Sequence, residues 1–431
     1  MDWRKIYSER LMSAEEAVKK IKSGDRVSLS HAAGDPSYIV DAMVANHKAY
    51  KNVEIVHMVP LSKAEYVQPG MEEHFIHHAL FVGAKTRKAV EEARADFTPC
   101  YFSQVPHIWS RTLPLDVAII HVSKPDEHGY CSLGVAVDYS FHAARAAKLV
   151  IAQVNKHMPR THGTFLHISE MDCIVEHDAP ILVLNPPEIG EVEKAIGEHC
   201  ASLVRDGDTL QLGIGAIPDA ALMFLKDKKD LGIHTEMFSD GVVDLVNAGV
   251  ITCARKNLHE GKLVATFLMG TQKLYDFVND NPMVEMYPVS YTNDPAVAGR
   301  NDNLVSINSC VQVDFLGQVC SETVGTTQIS GVGGQVDFVR ATALSKGGRS
   351  IIAMPSTAKG GTVSKIVPFL DEGAAVTTNR YDVQYIVTEY GIADLKYRSS
   401  RDRARALIDI AHPNFRAELK EEFKKRFNTE Y

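Results

Sequence analysis

Glu236 sits in Thr235-Glu-Met-Phe-Ser-Asp-Gly241, at the end of the short apolar run Leu231-Gly-Ile-His-Thr235. Upstream lies a glycine-bearing turn, Gly213-Ile-Gly-Ala-Ile-Pro218, and downstream a second, Ser330-Gly-Val-Gly-Gly-Gln335. A carboxylate beside apolar side chains, flanked by loops whose backbone N–H groups can approach a ligand closely, points to covalent chemistry on an acyl group. An isolated Glu after a strand is ordinarily solvated or salt-bridged. The combination singles this one out.

Each loop has its plainer reading. Gly213-Ile-Gly-Ala-Ile-Pro218 begins like a dinucleotide fingerprint, but Pro218 stands where the third glycine belongs, which weakens a Rossmann assignment. A helix starting near Pro218 would offer its first N–H groups to an anion or a developing oxyanion; a simple strand-to-helix turn accounts for the loop equally well. Gly331-Val-Gly-Gly334 is more demanding, because three glycines in four positions imply special torsions or a ligand pressed on the main chain. Thr357-Ala-Lys-Gly-Gly-Thr-Val-Ser-Lys365 offers two lysines as a phosphate grip, or is a surface loop. His74, His77 and His78 have helix-compatible spacing, but no carboxylate or Cys completes a metal set, so a solvated or packed cluster is expected. No Gly-x-Ser-x-Gly elbow occurs, which leaves a carboxylate as the nucleophile.

The elements that carry these residues are written twice. Ile21-Lys-Ser-Gly-Asp-Arg-Val-Ser-Leu29 reads like Val204-Arg-Asp-Gly-Asp-Thr-Leu-Gln-Leu212, each an expected helix end, a Gly-Asp turn and a strand leading to a loop with Pro36 or Pro218. Ser13 and Glu16 form a capping box for the first helix, and Gly24 suits its C-terminal cap. Asp126-Glu-His-Gly129 matches Asp314-Phe-Leu-Gly317, Asp138-Tyr matches Asp337-Phe, and Leu149–Ala152 matches Ser350–Ala353. Continuously apolar runs at 117–122, 149–152 and 181–184 predict strands covered on both faces, and helical patterns alternate with them. Two α/β domains follow, with a boundary near Pro186-Pro187.

Composition narrows the class. A chain of 431 residues is too long for one ordinary core. A net charge of −8 argues against a nucleic-acid face, though local basic clusters can still bind a phosphorylated ligand. The seven scattered Cys contain no Cys-x-x-Cys and suit buried thiols in a reducing cytoplasm. The charged start, Met1-Asp-Trp-Arg-Lys, is no signal core, and no apolar stretch approaches a membrane span.

Leu210–Pro218, Glu236–Gly241, Gln312–Gly317, Ile329–Phe338 and Val387-Thr-Glu-Tyr-Gly391 together resemble the coenzyme A-transferases of the glutamyl-thioester class, in the acetyl-CoA hydrolase/transferase family, from end to end. The resemblance implies two similar open α/β domains, 1–186 and 187–431, with the active site in the cleft between them. It implies Glu236 as the covalent residue and Gly334 as the oxyanion donor through its N–H. It makes Gly213, Ile214, Gly215, Ala216, Ile217, Ser330 and Gly334 coenzyme A contacts, and puts Lys359 on the coenzyme A tail. The substrates implied are acyl-CoA and short-chain carboxylates, 4-hydroxybutyrate or butyrate with acetate. No tightly bound cofactor, no metal, no nucleic acid and no membrane is implied, and a homodimer fits. The first domain's counterpart of the nucleophile segment, Val53–Met58, has no carboxylate at the matching place, so one nucleophile per chain is expected. His31, Ser62 and His107 are first-domain candidates to meet an acyl hydroxyl. Two other readings stay open: an acyl-CoA hydrolase, if water reaches the intermediate, and a non-catalytic acyl-CoA sensor.

Overall fold

The computed structural model describes residues 2–431. The chain divides into two compact units, Met1–Asn185 with Val264–Thr292, and Pro186–Leu263 with Asn293–Tyr431.

In the first unit β1 (Arg26–Leu29), β2 (Val53–His57), β3 (Phe75–Ala79), β4 (Ala95–Phe97), β5 (Val117–Val122), β6 (Leu149–Val154) and β7 (Cys173–Glu176) form a seven-stranded sheet in the order β4-β3-β2-β1-β5-β6-β7. Every pairing in it is parallel. All of β5 is buried, as a strand between two covering layers must be. Val27, Leu29, Ile55, Ile119 and Ile151 pack with Ile39, Val40 and Met43 of the helix Ser37–Ala45.

In the second unit β8 (Thr209–Leu212), β11 (Leu304–Ser309), β12 (Arg349–Ala353) and β13 (Tyr385–Thr388) run parallel in that order, and β14 (Gly391–Asp394) closes the edge antiparallel; β9 (Gly232–Ile233) and β10 (Met237–Phe238) both pair with β8. The four-strand run repeats β1-β5-β6-β7, with Val27↔Val117 and Ile119↔Ile151 answered by Leu210↔Val305 and Ile307↔Ile351. The turns repeat as well. Asp126 accepts from the N–H groups of His128 and Tyr130, and Asp314 from those of Leu316 and Gln318, all at 2.9 Å. Gly129 and Gly317 take left-handed torsions of φ +87° and +82°, where a side chain would be strained.

The two copies part company beside their first strands. In the first unit β2 stays parallel to β1, continued by a bridge between Ala32 and Pro60. In the second, β9 ends after two residues and the chain reverses into β10, antiparallel at Leu212↔Met237. Glu236 lies at that reversal.

Several expectations need correction. Val264–Thr292 belongs with the first unit, not with the segment after residue 186, because its backbone is tied there. Val137 and Asp138 N–H donate to Thr266 O, Met286 N–H to His162 O and Val289 N–H to Asp138 O. Ile181–Leu184 is not a strand: Tyr275 Oη donates to Leu182 O and Leu184 N–H to Gly270 O, so this run is a strap. His77 and His78 lie on β3, where alternate residues face opposite sides, so helical spacing has no meaning there. The first-helix capping box is formed, but that helix is Ala14–Val18, and Gly24 serves the following turn instead of the cap. No described helix is long and apolar enough to cross a membrane.

Candidate functional site

The parallel strands of the second unit deliver loops to one edge, the usual place for a ligand in an open α/β sheet. Beyond β8 the chain enters Gly213–Gly215, and Gly215 takes φ +117°, open in practice only to glycine. The helix α1 (Ala216–Met223) then begins two residues ahead of Pro218, which is tolerated in the first turn because its N–H would have no helical acceptor. Ile217 is buried and Ile214 exposed. The helix is tied to the segment after Glu236: Ser239 Oγ donates to Asp219 Oδ1 at 2.7 Å, and burial pushes the Asp219 carboxyl up, with Asp240 adding to the effect against the Ser239 bond.

Glu236 is partly buried, and its neighbours Met237 and Phe238 are 2% and 0% exposed. Its Oε2 accepts from Asn293 Nδ2 at 2.7 Å. Asn293 is fully buried just ahead of Asp294, whose carboxylate caps the helix Pro295–Ala298 by accepting from Ala296 N–H at 2.8 Å. The cap fixes the approach of Asn293, and the amide must present nitrogen to the carboxylate, since its oxygen would be repelled.

Gly334 completes the arrangement. It is the N-cap of α2 (Gln335–Leu344), and a Cβ added there would fall on Glu236 Oε2 and Asn293 Nδ2. Only glycine lets the helix start come this close. The loop before it is held by Gln328 Nε2 donating to Ser330 O at 2.9 Å, and α2 by Gln335 Nε2 donating to Ser309 O at 2.8 Å. A helix N-terminus facing a carboxylate is an anion-stabilising arrangement, and it would equally stabilise an oxyanion formed on that carboxylate.

The expected site residues therefore separate. Glu236 and Gly334 are brought together, with Ser330 four residues ahead of Gly334 in the same loop. Gly213, Ile214, Gly215, Ala216 and Ile217 form one turn at the end of β8, the strand that pairs with Met237. Lys359 stands exposed at the tip of the hairpin formed by Thr357–Ala358 and Val363–Ser364. Lys365 points inward: its Nζ donates to Cys310 O at 3.2 Å, and burial pulls its pKa down. In the first unit His31 Nδ1 lies 3.1 Å from Asp138 Oδ2, Ser62 Oγ donates to Asp35 Oδ2 at 2.6 Å, and His107 is exposed on the helix Val105–Arg111. His74, His77 and His78 are packed or bonded, their Nδ1 atoms lying against Tyr50 O, Ile55 O and Glu54 Oε1. No group of three or more His, Cys, Asp or Glu among the described residues could hold a metal ion. Asn293 was missed by sequence reasoning, since Tyr291-Thr-Asn-Asp-Pro295 reads as an ordinary helix start.

Residues 1–185 match the acetyl-CoA hydrolase/transferase N-terminal domain and residues 270–423 the acetyl-CoA hydrolase/transferase C-terminal domain. The chain is 62% identical to the 4-hydroxybutyrate coenzyme A transferase of Clostridium kluyveri over 99% of this chain and 100% of that protein. Its fold is similar to the crystal structure of RipA from Yersinia pestis, with TM-score 0.95 and 40% identity over 100% of both chains. It is also similar to the crystal structure of 4-hydroxybutyrate CoA-transferase from Porphyromonas gingivalis, with TM-score 0.86 and 44% identity over 99% of this chain and 100% of that one.

Proposed function

The chain belongs to the acetyl-CoA hydrolase/transferase family, and we propose that it moves coenzyme A between short-chain carboxylic acids with Glu236 as the covalent carrier. The observation that carries the reading is the Glu236 carboxylate, bonded to Asn293 and pressed against the start of α2 at Gly334.

The exchange replaces one thioester by another, so it needs no ATP. Glu236 attacks the acyl-CoA carbonyl; the C–S bond breaks, giving a mixed anhydride and free CoA thiolate. The thiolate attacks the side-chain carbonyl of Glu236, forming a glutamyl-CoA thioester and releasing the first acid as its carboxylate. The incoming carboxylate attacks that thioester, and the expelled thiolate then takes the new acyl group from the anhydride, restoring Glu236. Ping-pong kinetics follow. The Gly334 N–H and Asn293 Nδ2 are the donors for the tetrahedral oxyanions, each typically worth about 3 kcal/mol. The 213–217 turn, the Ser330–Gly334 loop and Lys359 are the coenzyme A contacts, so that binding far from the reacting atoms lowers the chemical barrier. Similarity to a 4-hydroxybutyrate transferase supports 4-hydroxybutyrate with acetate as the acids, and butyrate as the alternative. Seven scattered cysteines with no Cys-x-x-Cys suit a reducing cytoplasm, and a homodimer is proposed on the family resemblance.

The test is to load the enzyme with 4-hydroxybutyryl-CoA or butyryl-CoA, reduce with borohydride, and examine the Glu236 peptide by mass spectrometry. A reduced Glu236 is expected, with the faster-loading acyl-CoA marking the preferred acid. Glu236→Gln, assayed after excluding deamidation, is expected to lose transfer by at least about a thousandfold with the fold intact. An unmodified peptide during acyl-CoA consumption would instead identify a hydrolase, and binding without turnover a sensor.

A further inference from the structure

Glu236 is presented by a break in a strand, and a hydroxyl group holds the break. His234 N–H donates to Leu210 O at 3.1 Å, as a parallel ladder requires. The next bond of such a ladder would run from Leu212 N–H to the carbonyl of His234. Here Leu212 N–H donates instead to Thr235 Oγ1 at 3.1 Å, and that hydroxyl donates to Met237 O at 2.8 Å. Thr235 is fully buried, and its oxygen also lies 3.3 Å from Leu212 O. One side chain thus ties the end of β8 to the residue after Glu236. Just ahead of the break Lys256, 4% exposed, donates through Nζ to Ile233 O at 2.8 Å and to Lys262 O at 2.7 Å, anchoring the last residue of β9. The first unit shows the alternative. Matching Arg26↔Glu54 to Thr209↔Gly232 sets His57 at the place of Thr235. His57 directs its ring to Ser30 O at 3.0 Å and Tyr66 Oη at 2.9 Å, and its strand keeps parallel pairing up to His57 itself, opposite Ala79.

We propose that Thr235 is a positioning residue for transfer: its hydroxyl fixes the reversal that aims the Glu236 carboxylate at Asn293 and the start of α2. The inference rests on Glu236 being the carrier. The role needs a group that accepts from one backbone site and donates to another, which a hydroxyl does and a methyl cannot. Without it, Leu212 N–H loses its side-chain acceptor and Met237 O its side-chain donor in a buried place. Closing the ladder onto His234 O would satisfy Leu212 N–H, but it draws residues 234–236 toward β8 and takes the carboxylate away from its donors.

Thr235→Val keeps the shape and removes the hydroxyl, whereas Thr235→Ser keeps the hydroxyl and removes the methyl. Borohydride labelling of Glu236 in the wild type comes first, since it tests the carrier itself and so separates failure of that reading from failure of this one. Expected next is a labelling rate about a hundredfold lower in the valine variant, the loss a reacting group suffers when misplaced by about 1 Å, and within about threefold of wild type in the serine variant. Coenzyme A affinity should stay within about twofold in both, because a positioning residue moves the rate and not the remote binding. Wild-type labelling in Thr235→Val, or equal losses in the valine and serine variants, would overturn the proposal. Should the valine variant not fold, Thr235→Cys replaces it, its weakly bonding thiol giving labelling about tenfold slower than serine at nearly equal size; equal rates for Cys and Ser would overturn it as well.

Discussion

The residue with the least freedom at the site is Gly334. Its own torsions, φ −95° and ψ 5°, are open to other residues, so the backbone does not demand glycine. What demands it is Glu236, whose Oε2 occupies the place where a Cβ would stand. Gly334→Ala should therefore push the carboxylate off the buried Asn293 amide, lowering kcat by about a hundredfold or more and lowering the melting temperature as well, since a buried bond is broken and the Cβ overpacks. A variant with wild-type kcat would show that the carboxylate and the helix start are not in contact during turnover. At this scale the sequence was legible where chemistry leaves a mark of type: a Glu after an apolar run, glycines crowded into a loop. It was silent on Asn293, because an amide that reaches a carboxylate 2.7 Å away across 57 positions has no local signature. Thr235 lay in plain view beside Glu236, but its work depends on a strand reversal that no periodicity reveals.

Among the elements, the strands were the readable part, because burial on both faces leaves continuous apolar runs such as Val117–Val122. The same rule failed at 181–184, where an apolar run packs as a strap and gives its carbonyl to Tyr275 Oη. Hydrophobicity reports burial, and the hydrogen-bond partner decides whether the buried run becomes a strand. Packing between helices is equally hidden. The helix Glu191–Ser202 meets α1 at Gly197, where an added Cβ would come within 2.7 Å of the Ala220 carbonyl carbon and 2.9 Å of its Cβ. On an isolated helix Gly197→Ala would gain about 1 kcal/mol of propensity. Here the obstructing atoms are backbone, which cannot swing aside, and overpacking costs typically about 1–3 kcal/mol. The alanine variant should thus melt lower than wild type, and Gly197→Leu lower still. Since Ala220 belongs to the helix that follows the 213–215 turn, weaker coenzyme A binding should accompany the loss. A rise in melting temperature for Gly197→Ala would mean that the two helices stand further apart.

At the scale of the whole molecule, the sequence showed the repeat and the excess of acid. It did not show that Val264–Thr292 returns to the first unit, nor which titratable groups would be buried, since both follow from contacts remote in sequence. The first unit encloses three imidazoles and a carboxyl whose titration bears on stability. Burial holds the pKa of His57 well below its ordinary value, with the neighbouring His77 and His31 adding to the effect, and burial lowers His77 and His121 to about 4. Asp35 is moved the other way, up to about 7, by burial that outweighs its bonds from Ser62. The signs oppose. Each histidine stays neutral in the folded chain while the unfolded one takes up a proton near 6.5, so its share of stability is present above that pH and is lost as pH falls below it, toward about 4 for His77 and His121. Asp35 keeps its proton in the folded chain while the unfolded carboxyl ionises near 3.8, so its share is present below that pH and is lost as pH rises through about 7. Three groups against one give stability that rises between about pH 4 and 6.5, with Asp35 flattening the slope. Asp35→Asn removes the opposing group and keeps a neutral partner for Ser62. Denaturant midpoints taken from about pH 5 to about pH 8 should rise more steeply in the variant, and the gap between variant and wild type should shift in favour of Asn across that range. Taking the gap cancels every other titrating group, so a gap that does not change with pH would mean that Asp35 is ionised in the native protein, and the burial assigned to it would be wrong.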